Sequence, residues 1–409
     1  MALKTLKDID VDSKTVLYRS PYDIGVNEKE NGELVIKDDS RIKATLPTLE
    51  YLIRKKCKIV ILTWVKRPGG KVVEKLRTDP HALALSKLLD QEVHKADDCI
   101  GDKVDEFIQN MSEGQILMLE NTRFYPEDDA ADEEFAKKLV KGKDLIVFDG
   151  FPQSHRIHAS TTEILKLLPS VAGFYFEKEY NALNNLLEDP KRPFTLIIGG
   201  AKVSDKVGAI NNLIDKVDHV LVGGGPANVF LKATGKEMAD SFIEDVFVDK
   251  AKGEKKDWVE LAKEILKKGG DKILVPVDLT VADSKDDPKR CGEVSLGEGV
   301  DFVPEGFMAL DIGTETSEIY EKIIMDSKTV FWNGPPGMFE KEQFCKGTLF
   351  LCEAMKKCGG TTIVAGGDTI EAAKKYCDIE KITHISLAGG ATLELLSGKR
   401  LPVLDFLEK

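Results

Sequence analysis

The stretch Phe194-Thr195-Leu196-Ile197-Ile198-Gly199-Gly200-Ala201-Lys202-Val203-Ser204-Asp205-Lys206 decides the fold. Its first five residues carry no charge and do not alternate, as expected of a strand buried on both faces of a parallel sheet. Two glycines end the strand. Lys202 and Lys206 follow four apart, a spacing that puts them on one face of a helix. A covered strand, a glycine turn and a basic helix start together make a place where backbone and lysines can meet phosphate.

The same grammar recurs outward from this stretch. His219–Val222 (HVLV) is followed by Gly223-Gly224-Gly225, and Thr329–Trp332 (TVFW) by Asn333-Gly334-Pro335-Pro336-Gly337. Thr361–Val364 (TTIV) is followed by Gly366-Gly367-Asp368-Thr369, and Gly389-Gly390-Ala391-Thr392 follows a further short apolar run. Lys272–Val275 is another strand candidate, with helices at Leu261–Lys267 and Ile370–Tyr376. A glycine after a strand is often only a turn, but five such turns in one half favour a nucleotide pocket. None has the GxxxxGK[ST] spacing of a Walker A loop, and no GxGxxG is present. Asp368 at a glycine-rich helix start reads as a Mg²⁺ ligand or as an N-cap.

The first half shows its own alternation. Strand candidates are Lys14–Arg19, Lys58–Leu62, Gln115–Leu119 and Asp144–Phe148, with helical periodicity over Pro47–Lys55, Ala84–Leu89 and Phe135–Val140. The expectation is an α/β protein with two successive Rossmann-like parallel-sheet domains. Phe174–Leu187 reads as the joining helix, stopped near Pro190. The expected divisions are residues 1–170, a linking segment 171–192, a second domain 193–394 and a tail 395–409. Ligands of such sheets lie beyond the C-terminal strand ends, so two sites facing a cleft are expected. Arg19, Arg41, Arg67, Arg123 and Arg156 fall near strand ends or turns of the first half. Converging guanidinium groups from separate loops make an anion site.

Composition narrows the function classes. The 409 residues include 58 Lys and Arg against 70 Asp and Glu, a net charge of −12, which argues against a nucleic-acid binder. Seven cysteines, at 57, 99, 291, 345, 352, 358 and 377, form no CxxC pair and read as free thiols of a reducing compartment. The N-terminus has no apolar signal region and no run is long enough to cross a membrane, so a cytoplasmic location is expected.

The ordered segments DDSRIKATLPT, KRP, LENTRF, SHRIHAS, GGAKVSDK, GGG, WNGPPGMFE and GGDT, spread from Leu6 to Leu401, resemble phosphoglycerate kinase. The resemblance implies two Rossmann-like domains joined by a helix, with the C-terminal tail returning to the first. It implies a monomer that moves a phosphoryl group between MgATP and the carboxylate of 3-phosphoglycerate, a small phosphorylated carboxylic acid. Carried over by residue, Lys202 steers the transferring group and Lys206 holds nucleotide phosphates. Asp368 takes Mg²⁺, directly or through water. Gly200, Ala201, Gly224, Pro335 and Glu340 line the adenosine site, and Thr369 sits at the phosphates; Asn333, Gly366 and Gly367 belong to the same loops. Arg41 stabilises charge at the acceptor carboxylate, and Arg67, Arg123 and Arg156 take the acceptor's phosphate, with Asp23 and Lys66 beside them.

Departures from the family pattern cluster on the acceptor side. RVDFNVP is here Arg19-Ser20-Pro21-Tyr22-Asp23-Ile24-Gly25, so Pro21 replaces the aspartate that holds the acceptor's hydroxyl. SHLGRP is Thr63-Trp64-Val65-Lys66-Arg67-Pro68, which places Trp64 for histidine and Lys66 for glycine. NDAFGTAHR becomes Phe148–Arg156, and STGGGAS becomes Ser386–Thr392, with Leu387 and Ala388 replacing smaller residues. Loss of one charged hydrogen bond to a substrate costs roughly 1.5–3 kcal/mol. Three readings stay open: a divergent working phosphoglycerate kinase, a kinase of this fold with another acidic acceptor, and a nucleotide-binding paralogue without catalysis.

Overall fold

The computed structural model describes residues 2–244, 246–249, 254–296 and 302–409. The chain divides into two compact units, Met1–Ala182 with Arg400–Lys409, and Leu183–Lys399.

The first unit is built on six parallel strands: β1 (Thr15–Arg19), β2 (Lys58–Leu62), β3 (Val93–Lys95), β4 (Ile116–Met118), β5 (Leu145–Phe148) and β6 (Ser170–Ala172). Their order is β3-β4-β2-β1-β5-β6. The chain moves to one side of β1 through β2 and later to the other through β5. The crevice at the ends of β1 and β5 is therefore a switch point, where open parallel sheets take ligands. Burial of β1, β2, β4 and β5 is nearly complete, in line with their unbroken apolar runs.

Helix α1 (Ser40–Arg54) starts seven residues before the expected boundary and carries Pro47 inside it. An interior proline costs about 3 kcal/mol. Burial of Ile42, Leu49 and Leu52 on one face outweighs it. A short hairpin, Val26–Glu28 with Leu34–Ile36, lies between β1 and α1.

The C-terminal decapeptide completes this unit. Lys4 N–H donates to Leu407 O at 2.7 Å and Lys409 N–H to Ala2 O at 2.9 Å. Leu401, Val403, Leu404 and Leu407 are buried. Helix α2 (Phe174–Glu188) leaves the first unit at Ala182 and enters the second at Leu183. Phe174 N–H donates to Thr48 Oγ1 at 3.0 Å, anchoring its first turn.

The second unit holds β7 (Phe194–Ile198), β8 (His219–Val222), β9 (Ile273–Leu274), β10 (Thr329–Asn333), β11 (Thr361–Ala365) and β12 (His384–Ser386). The order β9-β8-β7-β10-β11-β12 is the dinucleotide-fold arrangement, with its switch point between β7 and β10. A separate antiparallel sheet pairs Asp278–Ala282 with Cys291–Ser295 on one edge and Met308–Ile312 on the other.

Two features differ from the sequence-based expectation. The helix after β7 begins at Val207, so Lys202 and Lys206 lie in the preceding turn rather than on one helix face. That turn is held by Ser204 N–H, which donates to Glu244 Oε2 at 2.9 Å, and by the left-handed backbone of Gly200. Cys352 and Cys377 form a disulfide rather than two thiols. Cys352 sits in helix Lys346–Lys357 and Cys377 directly follows helix Gly367–Tyr376. Packing of these two helices brings together residues whose spacing of 25 carries no such signal.

Candidate functional site

In the second unit the turns after β7 and β10 lock together. Gly200 N–H donates to Pro335 O at 2.7 Å, and Gly199 N–H to Asn333 O at 3.0 Å. Gly334 has φ +100°, and a Cβ there would fall 2.1 Å from the Gly199 carbonyl group. Only glycine permits this approach, and it fixes the mouth of the switch point.

Beside these turns lies a cavity of about 510 Å³. Gly200, Ala201, Gly224, Pro335, Glu340 and Asp368 from the sequence reading line it. Its remaining wall includes Asn228, Phe242, Leu279, Met308, Asp311 and Phe339. The wall is mainly apolar, with a few polar groups at its edge, the usual character of a planar-ligand pocket. Sequence reading missed this second group. Several of them sit on or beside the antiparallel sheet, whose strands carry no glycine-rich signature.

Lys202, Lys206, Asn333, Gly366, Gly367 and Thr369 do not line the cavity, but several are tied to its rim. The Lys206 ammonium donates to Asn333 Oδ1. Asn333 Nδ2 donates to Ala365 O at 2.9 Å, and Gly334 N–H donates to Thr369 Oγ1 at 2.7 Å. Burial lowers the Lys206 pKa, opposed by the charges of Asp205 and Asp368. An anion brought to this lysine therefore finds it poorly hydrated, and charge pairing there is correspondingly strong. Asp368 is exposed, in the first turn of helix Gly367–Tyr376. An exposed carboxylate beside glycine-rich turns is a donor of the kind that suits a hard divalent cation.

Asp311 is 3% exposed, on the strand Met308–Ile312. It accepts from Gly347 N–H and Ile312 N–H, both at 2.9 Å. Burial nevertheless pushes its carboxyl up to about 7.

In the first unit the loops after β1, β2 and β4 bring cations together. Arg19, the last residue of β1, is wholly buried, and burial lowers its pKa to about 10. Its Nε donates to Ser160 O at 2.8 Å, and Nη1 donates to Ser20 O. Arg123 follows β4. Its Nη1 donates to Lys66 O at 2.8 Å, and its Nε lies 3.0 Å from Asp129 Oδ1. Asp128 is buried beneath them and accepts from Ser160 N–H at 2.8 Å and Ser160 Oγ–H at 3.1 Å.

Trp64, two residues past β2 and 2% exposed, lies within this cluster. The Arg19 and Arg123 guanidinium carbons stand 4.5 and 4.1 Å from its ring centroid, and the His158 ring 4.9 Å away. Burial lowers the His158 pKa. Arg41 Nη1 donates to Asp23 O at 2.8 Å, and the Asp23 carboxylate accepts from Lys66 N–H at 2.8 Å. Lys66 has φ +56°, a left-handed position where the family pattern has glycine. The structure thus gathers Arg41, Arg123, Asp23 and Lys66, while Arg67 and Arg156 are exposed on their loops.

Residues 6–399 match the family model described as phosphoglycerate kinase. A phosphoglycerate kinase of Moorella thermoacetica is 43% identical over 415 residues, covering 100% of both chains. One from Pelotomaculum thermopropionicum is 41% identical over 405 residues, covering 98% of each. The solved structure of phosphoglycerate kinase from Coxiella burnetii superposes with a TM-score of 0.85 at 32% identity, covering 99% of this chain and 98% of that one. Two Rossmann-type sheets, locked glycine turns beside a nucleotide-sized cavity and a buried arginine cluster thus coincide with a full-length match: the chain belongs to the phosphoglycerate kinase family.

Proposed function

We propose that this chain reversibly transfers a phosphoryl group between MgATP and the carboxylate of 3-phosphoglycerate. The observation that carries the reading is the cavity at the β7–β10 switch point, rimmed by the turns that hold Lys206, Asn333 and Thr369. Its apolar wall suits an adenine ring, with Gly200, Ala201, Gly224 and Pro335 against the adenosine and Glu340 at its polar edge. Lys206 and the amides of Gly366, Gly367 and Thr369 are suited to the phosphates, and exposed Lys202 can follow the transferring group. Asp368 would hold Mg²⁺, directly or through water, and the ion would offset phosphate charge.

In the forward direction a carboxylate oxygen forms a bond to the γ-phosphorus, and the bond to the β–γ bridging oxygen breaks. No side chain need become covalently modified. The work of the protein is positioning and charge neutralisation. Arg41 is suited to charge on the acceptor carboxylate, and Arg67, Arg123, Arg156 and Lys66 are suited to the acceptor's phosphate, with Asp23 bracing the loops. No described helix is long and apolar enough to cross a membrane. The reading includes a cytoplasmic monomer without nucleic-acid or membrane partners.

Calorimetric titration with MgADP tests the nucleotide half. One site per chain is expected, with affinity reduced at least tenfold in Lys206→Ala, since a charged hydrogen bond is worth about 1.5–3 kcal/mol. Absence of binding to the wild type contradicts the reading.

A further inference from the structure

We propose that Trp64 is a specificity-determining residue of the first unit, holding Arg19 and Arg123 against its ring so that a phosphorylated acid must displace the indole to reach them. This rests on the reading that the first unit takes the acceptor.

Three observations carry it. The first is the ring's position, within 4.5 Å of both guanidinium carbons and almost without solvent contact. A cation over an indole face is attracted to it, most strongly when both are desolvated. The second is an unsatisfied donor. Arg19 Nη2 is buried and has no hydrogen-bond partner, although Nε and Nη1 are both engaged. Buried guanidinium nitrogens are ordinarily paired, so this nitrogen is suited to an oxyanion that has displaced the ring.

The third is the rigidity of the backbone around Trp64. Asn121 Oδ1 accepts from Val65 N–H at 3.0 Å, and Asn121 Nδ2 donates to Val65 O at 2.9 Å. Asp23 holds the next amide, that of Lys66. Before Trp64, Thr63 O accepts from Thr122 N–H at 3.2 Å, so the backbone is held on either side of the residue and displacement falls on the side chain. Neighbouring charges are mixed: Asp128 and Asp23 offset Arg19, whereas Arg123 opposes it. The indole keeps two like charges apart from solvent in a site that already contains its counter-charges. An incoming dianion competes with that arrangement.

The test is calorimetric titration of wild type, Trp64→Ala, Trp64→His and Trp64→Phe with 3-phosphoglycerate, each first shown to be folded by a cooperative thermal melt. Trp64→Ala and Trp64→His are expected to bind about 10- to 100-fold more tightly than wild type, the scale of one or two desolvated cation–π contacts. Trp64→Phe, which keeps a ring beneath both arginines, is expected to stay within a few-fold of wild type. Equal or weaker binding in the Ala and His variants overturns the proposal. Should those variants fail to fold, the wild-type-minus-Trp64→Phe fluorescence difference decides. Saturating 3-phosphoglycerate must shift the Trp64 emission to longer wavelength, and an unchanged spectrum overturns the proposal. MgADP titration of the same proteins separates the two failures. If wild type binds 3-phosphoglycerate and MgADP but the Ala and His variants bind the acid no more tightly, the Trp64 inference alone falls; if no form binds 3-phosphoglycerate, the acceptor half of the functional reading falls with it. If MgADP binding is lost from wild type as well, the functional reading itself falls.

Discussion

Asp311 carries a carboxylate that is buried in the cavity wall, bonded to two backbone amides and still protonated more readily than an ordinary aspartate. Its pKa rises from the usual 3.8 to about 7 on folding. The folded state therefore binds a proton that the unfolded chain releases. The resulting stability is fully present below about pH 4 and is lost as pH rises through about 7. Asp311→Asn should remove this contribution, so its unfolding free energy should fall less steeply than wild type, by about 1.4 kcal/mol per pH unit within that window. Urea unfolding at several pH values checks this, and parallel curves contradict it. Residues of this kind were not legible in the sequence. An aspartate in MALDI carries no mark of burial, whereas Gly334 and Gly200 announced themselves by position after an apolar run. Trp64 was legible as a departure but not as a partner of Arg19 and Arg123, because that contact joins the ends of three strands distant in the chain.

At the scale of elements, charge-free apolar runs located the central strands well, since a strand covered on both faces leaves few alternatives. Helix starts were less legible. Burial of Ile42 drew α1 back past Pro47, and the turn at Ser204 delayed the helix that now begins at Val207. The antiparallel sheet, which supplies one wall of the cavity, was missed. Asp278–Ala282 opens on a charged residue rather than forming a charge-free apolar run, and its partner Cys291–Ser295 is largely exposed and weakly patterned. The disulfide between Cys352 and Cys377 belongs to this scale, because two packed helices create it. It closes a loop spanning 25 positions, for which the chain-entropy argument gives roughly 3 kcal/mol. Cys352→Ser should lower the stability of the second unit by about that amount under non-reducing conditions, and dithiothreitol should reproduce the loss in wild type. Denaturant curves that are unchanged by both treatments contradict a stabilising role.

Across the whole molecule, two sheets with switch points present two different chemistries. The second unit offers an apolar cavity with glycine turns and a poorly hydrated lysine. The first offers buried arginines closed over by an indole. A net charge of −12 concealed this local basic cluster, which only the folded chain assembles. Return of Arg400–Lys409 to the first unit makes the chain ends part of one body, although they lie four hundred residues apart in sequence. Phosphoryl transfer from MgATP to 3-phosphoglycerate is read out by a coupled assay that reduces the acyl phosphate product as it forms. Turnover is expected to require both substrates and to saturate in MgATP at lower concentration than in 3-phosphoglycerate. A chain that binds MgADP yet forms no product at any 3-phosphoglycerate concentration would contradict it.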